Sequence, residues 1–149
     1  MEINDLLSPG RIVLDLKAKD KAQLLRELAM RAEAAGAGVS ASSILVALTA
    51  REALGSTGLG KGFALPHARL DGVARCFGLF ARLARAIDYA AIDGQKVDVV
   101  VLLLTPADDD ATHLSALSLV ARKLREADTL GRVRRAEGVN SVIGMLAES

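Results

Sequence analysis

Val99 to Leu104 is an unbroken run of six aliphatic residues, the longest in the chain, inside a β-branched stretch from Val97 to Leu104. It is far too short to cross a bilayer, which takes roughly 20 apolar residues. Its brevity and β-branched content predict a strand buried on both faces. Such a strand must be covered above and below, so the rest of the chain has to supply apolar elements for two sides of one sheet. The 149 residues are 51% hydrophobic, ample for that purpose, and their number predicts one domain spanning 1–149.

The covering elements are legible in outline. Arg11 to Leu16 follows Pro9 and Gly10 and reads as a first strand. Asp20 caps a helix whose Leu25, Leu28, Ala29 and Ala32 share one face, and Gly36 and Gly38 end it. Ser40, Ser42 and Ser43 offer the next N-cap, for a helix carrying Ile44, Leu45 and Leu48 to about Leu54. Phe77 to Leu83 reads as a strand, and the Asp93-Gly94 turn signal is compatible with its pairing to Val97–Leu104 as a hairpin. A helix starting near Asp110 places Leu114, Leu117, Ala121 and Leu124 on one face. A short basic helix, Leu130 to Arg135, precedes a break at Gly138 and a last helix bearing Val139, Val142, Ile143 and Leu146. Strands alternating with helices, some strands adjacent in sequence, predict an α/β fold with a mixed sheet covered on both faces.

Charge and cysteine narrow the function. Nineteen basic against eighteen acidic residues leave a formal charge of +1, too little field to hold a phosphate polymer, so no nucleic acid is expected. One cysteine forms neither an internal disulfide nor a zinc cage, which fits a reducing compartment. Cys76, beside Phe77 at a strand start, reads as core. The amino terminus MEINDLLSPG has no basic region before an apolar stretch, so no secretory signal and no membrane insertion are expected, and the location reads as cytoplasmic.

The segment GSTGLGKGFALPHARLDG, Gly55 to Gly72, joins a glycine-rich loop to a histidine held by a proline. Four of the eight residues from Gly55 to Gly62 are glycine, so no regular element is expected there. Three readings stand. Gly55, Gly60 and Lys61 match part of a nucleotide P-loop, but Gly62 stands where the magnesium hydroxyl belongs, and the loop follows a helix and runs into Pro66. Alternatively, the N–H groups of Gly58, Gly60 and Gly62 with the hydroxyls of Ser56 and Thr57 surround a phosphoryl group that His67 accepts. Pro66 restricts Leu65 to extended backbone and so delivers His67 in a defined direction. On the third reading the glycines make a tight connection and His67 is an ordinary loop histidine.

Glu52, Leu59, Gly60, Phe63, Ala64, Leu65, Pro66, His67 and Ala68 together resemble the active-site signature of enzyme IIA of the phosphoenolpyruvate-dependent phosphotransferase system, fructose/mannitol class. Phe63 departs from it, standing where the pattern has an aliphatic residue. The resemblance covers nearly the whole chain and is strongest to the nitrogen-related members, through RExLGSTGLGKG and PADDDATHLSALSLVARKL. It implies a three-layer α/β/α sandwich, His67 as the phosphorylated residue, His113 as a second active-site histidine, and Arg51 close to both. It also implies an HPr-like phosphocarrier as donor, a regulatory target or IIB protein downstream, and no cofactor or metal.

The implied roles have physical counterparts. His113 near a helix N-terminus sits where phosphate is favoured and imidazolium is not. It could equally be a first-turn histidine packed on the sheet. Arg51 at a helix end could complete the dipole or balance charge in phosphoryl transfer. Asp108 to Asp110 read as solvated caps. The expected function is a phosphoryl-accepting carrier, with regulation favoured over sugar transport; a sugar-specific IIA component or a non-phosphorylated interaction module of the same fold are the alternatives.

Overall fold

The computed structural model describes residues 1–148. A four-residue helix α1 (Ile3–Leu6) and a 3₁₀ turn (Pro9–Arg11) lead into β1 (Ile12–Leu16), α2 (Lys21–Ala34) and α3 (Ala41–Ala53). Three short strands follow, β2 (Gly58–Gly60), β3 (Phe63–Ala64) and β4 (His67–Leu70), then the long β5 (Phe77–Ile87) and β6 (Val97–Pro106). The chain closes with α4 (Asp110–Arg125), α5 (Thr129–Arg135) and α6 (Val139–Ala147).

The helices begin where the capping residues place them. Asp20 accepts from the Gln23 amide at 2.8 Å and Ser40 from the Ser43 amide at 3.1 Å, each satisfying a first-turn donor. Gly36 and Gly38, with φ of 94° and 89°, reverse the chain after α2. Helix α4 starts at Asp110, as expected, and Asp109 is its cap, the carboxylate accepting from both the amide and hydroxyl of Thr112.

One sheet of six strands runs β1-β5-β6-β3-β2, with β4 pairing the same β6 further along. β1 lies parallel to β5, β5 antiparallel to β6, and β3 and β4 both parallel to β6. The sheet is therefore mixed. Period-two alternation divides β6 between two cores: Val100, Leu102 and Leu104 face α2 and α3, while Val99, Val101 and Leu103 face the layer of α1, α4, α5 and α6. All six are fully buried. That is the three-layer α/β/α arrangement. No helix among the described residues is long and apolar enough to cross a membrane.

One expectation about a connection changes. The glycine segment was expected to lack regular structure, yet β2 and β3 form a small antiparallel hairpin there. Positive φ at Gly60 (102°), Lys61 (57°) and Gly62 (84°) turns the tip, so the glycines supply a reversal rather than an open loop. The β5–β6 pairing exists, as the sequence allows, through residues 88–96, an irregular stretch that ends in a turn where the Gly94 amide donates to the Ala91 carbonyl at 3.0 Å. The longer link carries Tyr89 into the core, where it is fully buried. Cys76 lies just before β5, half-buried against the second core, and burial pushes its thiol up to about 11.

Candidate functional site

His67 opens β4 immediately after Pro66, opposite Leu103 of β6. The Pro66 carbonyl accepts from the Leu103 amide at 3.0 Å, so the backbone leading into the histidine is already part of the sheet. Its Nδ1 lies 2.8 Å from the Leu65 carbonyl. A carbonyl oxygen can only accept, so Nδ1 carries the hydrogen and a neutral ring keeps its lone pair at Nε2. Arg51, in the last turn of α3, donates Nε–H to that lone pair at 3.2 Å and Nη1–H to the Gly55 carbonyl at 2.9 Å.

His113 enters from the other helical layer, four positions past the Asp109 cap of α4, with its ring centroid 5.4 Å from that of His67 and the planes tilted by 52°. The hydroxyl of Thr105, fully buried near the end of β6, meets His113 Nδ1 at 2.6 Å. Thus α3, β4 and α4 bring Arg51, His67 and His113 together above the C-terminal end of β6. Both histidines are half-buried, so an incoming group can reach them. Arg69 on β4 pairs with the Asp110 carboxylate beside them.

The environment favours neutral rings. Burial holds His67 below the ordinary imidazole range; the Leu65 hydrogen bond opposes this, the Arg51 charge adds to it and Glu52 opposes it. His113 is likewise lowered by burial first, then by His67 and Arg69, against Asp110. At neutral pH His67 therefore offers an unprotonated Nε2 beside a permanent cation.

The expected amide cradle is only partly at this place. Thr57 lies beside Leu65, its carbonyl accepting from the Leu65 amide at 3.0 Å, so Ser56 and Thr57 are at the His67 end of the hairpin. Their donors are already engaged: Ser56 Oγ with the Tyr89 carbonyl at 3.2 Å, and Thr57 through both amide and hydroxyl with Glu52. The Gly58 amide donates to Ser56 Oγ at 3.1 Å. Gly60 and Gly62 do not join the histidine. Gly60 stands opposite Phe63, which pairs with Val99, whereas His67 pairs with Leu103. Four residues of strand separate those levels, about 13 Å. Gly62 is further still, its carbonyl accepting from the amides of Asp98 and Val99.

Two functional groups escaped the sequence: the Leu65 carbonyl, which has no residue-type signal, and Thr105, whose only signal is a hydroxyl directly after the aliphatic run. Asp109 and Asp110 are occupied as helix cap and as partner of Arg69.

Residues 5–149 match the family described as the phosphoenolpyruvate-dependent sugar phosphotransferase system, EIIA 2. The chain is 42% identical over 147 residues to a nitrogen regulatory protein of Bradyrhizobium diazoefficiens, covering 99% of this chain and 95% of that one. The crystal structure of nitrogen regulatory protein IIA-Ntr from Neisseria meningitidis superposes with a TM-score of 0.91 at 33% identity, over 97% of this chain and 98% of that one. IIA mannitol from Escherichia coli shares the fold, with a TM-score of 0.81 at 21% identity over 95% and 99%. The signature around Pro66-His67, the fold and these likenesses agree: the chain belongs to the EIIA type 2 family of the phosphoenolpyruvate-dependent sugar phosphotransferase system.

Proposed function

We propose that His67 accepts a phosphoryl group at Nε2 from the phosphohistidine of an HPr-like phosphocarrier in the cytoplasm, and that the two phosphorylation states engage different partners. The observation that carries this reading is the 2.8 Å contact between Nδ1 and the Leu65 carbonyl, which reserves Nε2 as the nucleophile. In the transfer, the Nε2 lone pair bonds to phosphorus in line as the donor's P–N bond breaks, and the donor imidazole recovers the electron pair. The proton stays on Nδ1, donated to the Leu65 carbonyl. Arg51 exchanges Nε2 for the phosphoryl oxygens and balances their charge. The 2.6 Å contact between Thr105 Oγ1 and His113 Nδ1 admits either direction; in the proposed step the hydroxyl donates, which leaves the His113 proton on Nε2, where it can reach the same oxygens. No metal enters the step.

Exposed apolar side chains flank the charged centre: Leu54, three residues beyond Arg51, is 85% exposed, and Leu114, next to His113, 66%. Apolar contacts around a polar reactive centre suit a docking protein better than a small molecule. The nitrogen regulatory names of the relatives support regulation; the fold is also that of a mannitol IIA seen with phosphorylated IIB, which supports transfer onward to a IIB protein as a second reading.

Incubation with phosphoenolpyruvate, enzyme I and an HPr-like carrier should add one phosphoryl mass, mapping to the peptide that contains His67. His67→Ala should fold and take none; labelling retained in that variant refutes the assignment. Partner capture by the two states, compared with transfer to candidate IIB proteins, separates regulator from sugar-specific carrier.

A further inference from the structure

Glu52 begins the signature but has no part in the transfer just described. It follows Arg51 at the end of α3, yet its side chain turns inward and is only 6% exposed. Both its oxygens accept from Thr57, at 3.0 and 3.1 Å from the amide and 2.9 and 2.7 Å from the hydroxyl. Because the Thr57 hydroxyl donates to the carboxylate, Thr57 Oγ1 is left to accept from Tyr89, 2.9 Å away. Lys21 closes the cluster, 3.0 Å from Glu52 with its ammonium 4.4 Å above the Tyr89 ring. A buried charge is tolerated only with such satisfaction, and a fully satisfied network is rigid.

The cluster connects to the histidine by a short covalent and hydrogen-bonded path. Thr57, held at its amide and hydroxyl, presents its carbonyl to the Leu65 amide at 3.0 Å. The carbonyl of that same Leu65 receives His67 Nδ1–H at 2.8 Å. Leu65 has no freedom to follow a moving Thr57 without changing this contact, because Pro66 fixes the chain immediately after it.

We propose that Glu52 is a positioning residue for His67: by clamping both donors of Thr57 it sets the Leu65 carbonyl where it holds the Nδ1 proton, so that Nε2 is the nitrogen presented for phosphorylation. This rests on the reading of His67 as acceptor, but its first consequence, the tautomer, is observable without any transfer. Glu52→Gln keeps the volume but leaves one acceptor oxygen and an N–H₂ where two acceptor oxygens face the two Thr57 donors, so the two-oxygen clamp on amide and hydroxyl together is lost.

The test is performed on the full chain, ¹⁵N-labelled, by long-range ¹H–¹⁵N correlation of the histidine rings at pH 7.5, beside phosphoryl acceptance from the phosphoenolpyruvate, enzyme I and HPr-like chain. In the native protein His67 should show a protonated Nδ1 and an unprotonated Nε2. In Glu52→Gln the two ring signals should move toward averaged values, and acceptance should fall roughly tenfold, the lower end of what losing a partner that orients a histidine costs. A folded Glu52→Gln with native ring shifts overturns the proposal, whatever its transfer rate. Should that variant fail to show a cooperative melt, Thr57→Val, which removes only the clamped hydroxyl, is read by the same shifts and the same criterion. If the native chain accepts no phosphoryl group, the acceptor reading fails while the ring shifts still judge the clamp.

Discussion

Thr105→Val probes the support beneath His113. The substitution is nearly isosteric at a fully buried position, so it opens no cavity and changes one thing, the 2.6 Å contact with His113 Nδ1. A hydrogen bond contributes about 0.5–1.5 kcal/mol net, and a partner left unpaired adds to that. The contact is half-buried rather than sealed, since His113 retains access to solvent, so we place the cost near 1.5 kcal/mol. For a chain of this length each kcal/mol moves the melting temperature by about 2–4 °C, giving a drop of about 3–6 °C. Phosphoryl acceptance should slow by roughly tenfold, equivalent to about 1.4 kcal/mol in the barrier, because the His113 ring loses the donor that fixes its proton on Nε2. Calorimetry and single-turnover transfer measure the two effects. The decisive comparison is with His113→Ala and the double variant. If Thr105 acts through His113, adding Thr105→Val to His113→Ala should cost less than about 0.5 kcal/mol further in transfer. Full additivity would refute the coupling and leave Thr105 as a buried hydroxyl with no role in the reaction.

Three other outcomes follow from burial. Because both histidines are held below the ordinary value of 6.5, acceptance at pH 6.5 should retain more than half of its pH 8 rate, where an unperturbed imidazole is about half protonated; a midpoint at or above 6.5, by NMR titration or rate, contradicts this. The same shift makes the unfolded chain bind more protons than the folded one, so this contribution to stability is present above pH 6.5 and is lost as pH falls through the folded values. Urea unfolding of the native chain against His67→Ala should reveal it as a weaker acid dependence in the variant. Leu28→Ala, in α2 and fully buried away from the histidines, should lose about 2–5 kcal/mol of stability in urea with an unchanged transfer rate while folded; a changed rate would tie the α2 layer to the chemistry.

How much of the fold was legible follows from the range of each signal. The division of β6 between two cores is a period-two consequence of Val99 to Leu104 and needs no tertiary information. Asp20 caps where it was expected because it stands alone before an apolar helical face, whereas Ser40, Ser42 and Ser43 offered three candidates of which the folded chain uses Ser40. Three consecutive aspartates offer equivalent caps for α4, so only the folded geometry selects Asp109. Helix α1 is four residues long, too short for any period to register. Strand β4 was hidden because its pairing partner lies on β6, some 35 residues away, and β2, which pairs only with β3, because glycine-rich sequence carries no strand signal of its own.

The site divides in the same way. His67 was marked by a local constraint, Pro66 on its amino side. Arg51 and His113 became candidates through family resemblance, since nothing local says that the end of α3 and the start of α4 converge. The amide cradle was a sound inference from glycine content that sheet formation overrides. An amide consumed in a strand ladder or a turn has no hydrogen to offer an anion. Phe63 and Ala64 are committed to β6, the Gly58 amide to Ser56 and the Lys61 amide to Asp93, while Gly60 and Gly62 lie away from His67, so this hairpin's backbone serves the platform. In the proposed transfer, charge stabilisation accordingly falls to side chains that arrive from outside the sheet, Arg51 from one layer and His113 from the other. That division has a mechanical consequence. The platform stays fixed by the sheet, while an arginine with a donor already resting on Nε2 can rotate to the incoming oxygens without disturbing a single strand hydrogen bond.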